Sequence, residues 1–258
     1  MHPFAKTPVV VQAHQYGEPF WSQYRRLVQD IGKEHVYLLW DVTRAPVPDI
    51  VQTFDVHDPD HIIRITEDEC RAMNRLHMKM YGSWEAPLVH VAQHLSRTHT
   101  HADWEHFWKI EYDVMCCGNW RDTLAMGNAS AADLMGVDIE TYGGRNRNWC
   151  HWGELTGEIA RLARMPSETK GFFPVMRISR RGTQVLENNF HRSSGYVECY
   201  LATILKANGC VVEAFPVDMF GIYFNAVNLG WTDWVRMEDA NRGKNTLVHP
   251  VKIQPSLS

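Results

Sequence analysis

The chain of 258 residues has no stretch approaching the roughly 20 consecutive apolar residues needed to cross a bilayer. Its start, MHPFAKTPVVVQ, carries a run of only three valines and no apolar segment of the signal-peptide kind. The expectation is a cytoplasmic protein with no transmembrane segment. A basic excess is also missing: 26 Lys+Arg stand against 30 Asp+Glu, a net charge of −4. Phosphate backbones are bound by clustered cations, so nucleic acid is not the expected partner. None of the six cysteines, at 70, 116, 117, 150, 199 and 210, lies in a CxxC pair. They read as reduced thiols rather than a disulfide framework or a thiolate zinc site. Internal repeats and low-complexity segments are absent. What remains is 45% hydrophobic and 22% charged, a globular mix that excludes disorder as a description of the whole chain.

The apolar pattern along the first hundred residues alternates between two periods. Short buried strands are expected at 9–13, 35–40 and 61–65, and helices at 20–31, from 66 onward and at 86–95. Gly32 stops the first helix, and Thr66 with Glu69 opens the second as a capping box. This alternation implies a parallel sheet with helices on its faces, whose ligands sit at the carboxyl ends of the strands. Asp41 stands at such an end. Further strands are expected at 107–114, 132–139, 171–179 and 211–215, with helices at 121–126, 182–190 and 196–208. Residues 143–157 read as a long polar loop, and the last forty residues as mostly irregular. The fold class is α/β with a mixed central sheet.

Glu111-Tyr112-Asp113 closes the otherwise apolar segment WKIEYDV. On a strand, residues two apart point to one side, so both carboxylates would project together. Mutual repulsion then calls for a cation. A hard divalent ion, Mg²⁺ or Mn²⁺, bridging to phosphate oxygens would supply it. The alternative is that one carboxylate pairs with Lys109 or Arg121 while the other faces water.

Four features in order carry a resemblance: Asp41 after the second strand, the acidic pair near the chain midpoint, the acid of GYVECYLATIL, and the late histidine of LVHPVK. In this order the sequence resembles the GT-A class of nucleotide-sugar glycosyltransferases, and is similar to bacterial and viral polysaccharide enzymes of that kind. The resemblance implies a single GT-A-like domain over 1–258, with a Rossmann-like nucleotide-binding half at 1–115 and an acceptor-binding half at 116–258. It implies that Glu111, Asp113 and His249 hold Mn²⁺ or Mg²⁺ against the diphosphate of a nucleotide-sugar donor. Asp41 would contact the base or ribose. Glu198 would serve as general base on a hydroxyl of a glycan acceptor, with inversion at the anomeric carbon. The Glu in place of the first Asp of the usual DxD pair departs from the pattern and bears on metal dependence.

The chemistry asks for similar groups independently, because a diphosphate leaving group needs positive charge around it. Arg177, Arg180 and Arg181 in MRISRRG are candidates for phosphate or acceptor contacts. They are equally a solvated strand-to-helix junction. Sugar faces stack on aromatic rings, and Trp149, Trp152, Tyr223, Phe224, Trp231 and Trp234 offer such surfaces, or else fill the core. A competing constellation is His90, His94, His99, His101 and His106 with Asp103, whose spacing suits zinc. It defines the alternative of a histidine-centred metal-dependent hydrolase. A non-catalytic sugar-binding module on the same fold is the third reading.

Overall fold

The computed structural model describes residues 2–14, 18–43, 59–77, 84–98, 101–143, 147–162, 168–220, 229–241 and 243–252. Seven strands build the main sheet: β1 (Val9–Ala13), β2 (Val36–Asp41), β3 (Ile62–Ile65), β4 (His106–Glu111), β6 (Leu134–Thr141), β8 (Thr169–Ser179) and β10 (Val212–Ala214). Their order is β10-β6-β8-β4-β1-β2-β3. Strand β8 runs antiparallel to both its neighbours, and the other pairings are parallel. Both halves of the chain therefore contribute to one mixed α/β sheet.

The period-two pattern explains how the sheet is covered. Val10, Tyr37, Leu39, Ile63, Ile65 and Phe107 face one core, while Val9, Val11, Val36, Leu38, Trp40, Ile62, Trp108 and Ile110 face the other. The first core packs on helices α2 (Glu67–Met73), α3 (Glu85–Leu95), α6 (Arg180–Asn188) and α7 (Val197–Ala207). The second packs on α1 (Glu18–Ile31) and α4 (Trp120–Asn128), through Trp21, Tyr24, Leu27, Trp120 and Leu124. Burying apolar area on both faces is what holds a sheet of this kind between two helical layers. The capping box of α2 is complete, Glu69 N donating to Thr66 Oγ1 at 3.1 Å and Thr66 N to Glu69 Oε2 at 2.7 Å.

Two expectations need correction. The strand expected over 107–114 ends at Glu111, because Val114 N donates to Glu111 O at 3.1 Å and turns the chain. The last forty residues are more regular than their Trp-, Asn- and Gly-rich composition suggests. They include α8 (Trp231–Ala240), β11 (Leu229–Gly230), β12 (Leu247–Val248) and β13 (Val251–Lys252). Their anchor is a small cluster of Met115, Cys117, Trp234, Val248 and Val251, too sparse along the sequence to show a helical stripe. Two short elements complete the middle: α5 (Glu158–Leu162), and the pair β7 (Thr156–Gly157) with β9 (Ser193–Ser194). Among the described residues no helix is long and apolar enough to cross a membrane.

Candidate active site

The acidic pair converges by a route that strand alternation does not explain. Glu111 closes β4, and Asp113 sits in the turn after it. The chain then enters β5 (Met115–Cys116), which pairs antiparallel with β12 in the register Leu247↔Cys116 and Val248↔Met115. Val251 N donates to Asp113 O at 3.0 Å, so the C-terminal segment is zipped along residues 113–117. Gly118 permits this approach, since a Cβ there would lie 2.8 Å from Asn245 Cα. His249 is thereby delivered to the carboxylates.

His249 Nε2 lies 3.5 Å from Asp113 Oδ1 and 3.8 Å from Glu111 Oε2. One donor atom from each of the three residues falls within 4.8 Å of the others. Two hard carboxylate oxygens and one imidazole nitrogen suit Mg²⁺ or Mn²⁺, and the convergence of three such donors on one point of a cavity wall fits an ion of that kind. The cavity holds about 200 Å³ and is lined by Gln12, His14, Trp84 and Tyr112 together with Glu111, Asp113, His249 and Lys252. It lies at the carboxyl ends of β1 and β4, where Gln12 pairs in register with Glu111. Gln12 is buried and its Oε1 has no hydrogen-bond partner among the described residues.

Two lysines complete the electrostatics: Lys109, which pairs with one carboxylate as the alternative reading of the acidic pair had it, and Lys252, which that reading did not include; the other carboxylate, Asp113, is buried rather than facing water. Lys109 is fully buried, and its ammonium donates to Glu111 Oε1 at 2.8 Å and to Phe173 O at 3.1 Å. It also lies 3.6 Å from the centre of the Trp84 ring. Burial draws its pKa below the ordinary lysine value, against the pull of Glu111. Lys252 forms an ion pair with Asp113 Oδ2. Burial alone would raise the Asp113 carboxyl, but His249 and Lys252 beside it hold it below the usual aspartate range. The signal for Lys109 was present in FWKIEY, a lysine inside an apolar strand two residues before an acid. Lys252 carried no such signal.

Glu198 stands in the first turn of α7, half-buried. Burial raises its pKa, opposed by His151 and Lys170 and assisted by Glu111. Its interaction with Glu111 puts it within electrostatic reach of the acidic pair. Beside it, His151 stacks on Tyr196 with ring centroids 3.9 Å apart, and Trp149 meets His151, Trp152 and Tyr196 at 5.0–6.3 Å. Trp149, His151 and Trp152 of this shelf come from the 147–157 stretch, and Tyr196 stands at the start of α7. Trp234 is core, as one of the two readings had it. Tyr223 and Phe224 lie outside the described residues, as does the side chain of Trp231.

Other candidates are not brought to the cavity. Asp41 remains at the carboxyl edge, two strands and about 10 Å from Glu111. Its Oδ1 accepts from Thr43 N at 2.9 Å, and Thr43 Oγ1 accepts from Glu67 N at 2.8 Å, so it ties the loop to α2. Arg177 and Arg180 lie at the opposite edge of the sheet, because β8 is antiparallel and pairs Arg177 with Trp108 and Ser179 with His106. Arg177 is buried and donates to Ser130 O at 2.5 Å and Ala132 O at 3.3 Å. Arg180 donates to Ala102 O at 2.6 Å and lies over Trp104, and Arg181 pairs with Asp133 at 3.2 Å. Three histidines of the competing constellation are bound to backbone carbonyls: His90 to Arg64, His94 to Asp60, His101 to Ala5 and Glu34; His106 lies on a separate element, β4. His99 lies outside the described residues. Among the described residues, the three-ligand metal cluster found is Glu111, Asp113 and His249.

No protein-family model matches the chain, and no curated protein does. Among solved structures it is similar to the galactosyltransferase LgtC in complex with donor and acceptor sugar analogues, at 10% identity and a TM-score of 0.46, covering 95% of this chain and 87% of that one. It is also similar to the bifunctional glycosyltransferase WbbM, at 9% identity and a TM-score of 0.48, covering 94% and 45%. A third is the inositol-1-phosphate CTP transferase from T. maritima, at 9% identity and a TM-score of 0.43, covering 82% and 85%.

Proposed function

We propose that the protein is a metal-assisted glycosyltransferase that moves a sugar from a nucleoside diphosphate donor to a hydroxyl of a glycan acceptor. The observation that carries this reading is the meeting of Glu111, Asp113 and His249 on the wall of one cavity, with Lys252 among its lining residues. The 1–115 half would supply the donor side and the 116–258 half the acceptor side.

Glu111, Asp113 and His249 would hold Mn²⁺ or Mg²⁺, which neutralises charge on the departing diphosphate. The chain's own groups do the rest. Lys252 brings a second positive charge to the cavity wall, available to a phosphate oxygen of the donor. Trp149 and Tyr196 would receive the apolar face of an acceptor sugar. Glu198 accepts the proton of the attacking hydroxyl, and its raised pKa makes it a stronger base than a solvated glutamate. Attack from the side opposite the diphosphate inverts the anomeric carbon.

The experiment is a thermal-shift screen of nucleoside diphosphates and nucleotide sugars with and without Mn²⁺. A ligand that binds the native state raises the midpoint by mass action. A metal-dependent rise with one nucleotide family, followed by transfer of a labelled sugar from that donor, supports the reading. No rise with any nucleotide while the protein is folded sinks it.

A further inference from the structure

The carboxylates of the cluster already have cations supplied by the chain. Glu111 is paired with Lys109 and Asp113 with Lys252, two negative charges against two positive ones. The two pairs differ in one respect. Lys109 is fully buried, held by Phe173 O and packed on Trp84. Lys252 lies on the terminal strand β13, and its side chain is 47% exposed. A divalent ion entering a cluster that is already neutral gains far less Coulomb energy than one meeting two bare carboxylates. It gains the full attraction of Asp113 only if the exposed ammonium moves aside.

We propose that Lys252 is a built-in competitor for the divalent cation, occupying Asp113 until it is displaced, while Lys109 permanently offsets the charge of Glu111. This inference rests on the reading that Glu111, Asp113 and His249 form the metal site. It carries a consequence for the order of events. Any anion that draws Lys252 from Asp113 raises metal affinity, and by linkage the metal raises the affinity for that anion by the same factor. Metal alone is then held weakly.

The test is calorimetric titration of the full chain with Mn²⁺ alone, for the wild type and for Lys252→Met, Lys252→Arg, Asp113→Asn and the double variant Lys252→Met with Asp113→Asn. Lys252→Met is expected to bind Mn²⁺ at least about tenfold more tightly than the wild type, because one competing unit charge is gone. Lys252→Arg keeps the competing charge and is expected to match the wild type within about threefold. Asp113→Asn added to Lys252→Met, which removes the contested ligand as well, should abolish the gain. As a second readout, Mn²⁺ should raise the melting midpoint of Lys252→Met more than that of the wild type. The idea is overturned if Lys252→Met binds Mn²⁺ no more tightly than the wild type, or if binding is indifferent to Asp113→Asn. These arms contain no nucleotide, so they separate the two claims. Tighter Mn²⁺ binding by Lys252→Met with no response to any nucleoside diphosphate would retire the glycosyltransferase reading and leave the competition standing.

Discussion

His249 Nε2 lies 3.5 Å from Asp113 Oδ1, although the two residues are 136 positions apart in sequence. The contact exists because β12 pairs with β5 and draws the last described residues back along the turn after β4. It follows that Asp113→Asn and His249→Ala should weaken Mn²⁺-dependent nucleotide binding by at least about tenfold, as metal sites do when a ligand or its close partner is lost. Nucleotide titrations at fixed Mn²⁺ check this. Binding that is unchanged in both variants would remove the cluster from the donor site.

Glu198 makes a separate prediction, because its proposed work is chemical. Glu198→Gln should lower kcat by about 10²–10⁴-fold while leaving donor affinity within about twofold. A base must be ionised to act, and burial raises this carboxyl. The acid limb of kcat/KM should therefore lie above the ordinary glutamate value of about 4.3 and disappear in the Gln variant. An acid limb that persists in Glu198→Gln would assign the base elsewhere.

Trp149 supplies one wall of the aromatic shelf with His151 and Tyr196. Losing one stacking face costs about 0.5–1.5 kcal/mol. Trp149→Ala should accordingly raise the acceptor KM by roughly 2–10-fold, with the donor KM unaffected. Equal effects on both substrates would mean that the residue supports the fold rather than the acceptor.

Much of the sheet is legible because its strands obey period two and bury both faces. Val9–Ala13, Val36–Asp41 and Ile62–Ile65 fall where short apolar runs put them. The direction of a strand is not written in that pattern. Arg177 lies near the carboxyl end of an apolar strand and Arg180 just beyond it, as Asp41 closes its own strand, yet β8 is reversed and carries them to the far edge. Glu111 and Asp113 were visible as a local pair, although the turn after Glu111, not the pleat, brings them together. His249 and Glu198 had no local signal and entered only through the resemblance. The histidine run stayed a competing reading because spacing cannot say that a backbone carbonyl is near: His101 contacts Ala5 O at 2.8 Å and Glu34 O at 3.0 Å, both far away in sequence.

Glu85 is a buried acid that the proposed chemistry does not use, and it predicts a pH dependence of stability. It opens α3, and its Oε1 accepts from Asn74 Nδ2 at 3.0 Å, while Oε2 has no hydrogen-bond partner among the described residues. Burial pushes its pKa up to about 7 from 4.5, with the Asn74 bond resisting. A carboxyl raised in the folded state binds its proton there and releases it on unfolding. Its neutral form costs nothing below pH 4.5, and the penalty grows as pH rises from 4.5 to about 7 and is complete above that. Glu85→Gln keeps the acceptor oxygen and removes the charge. It should stabilise the protein by on the order of 3 kcal/mol at pH 8 and change little at pH 4.5. Denaturant unfolding at the two pH values reads this difference. A gain that is the same at both would show that Gln improves packing rather than relieving a buried charge.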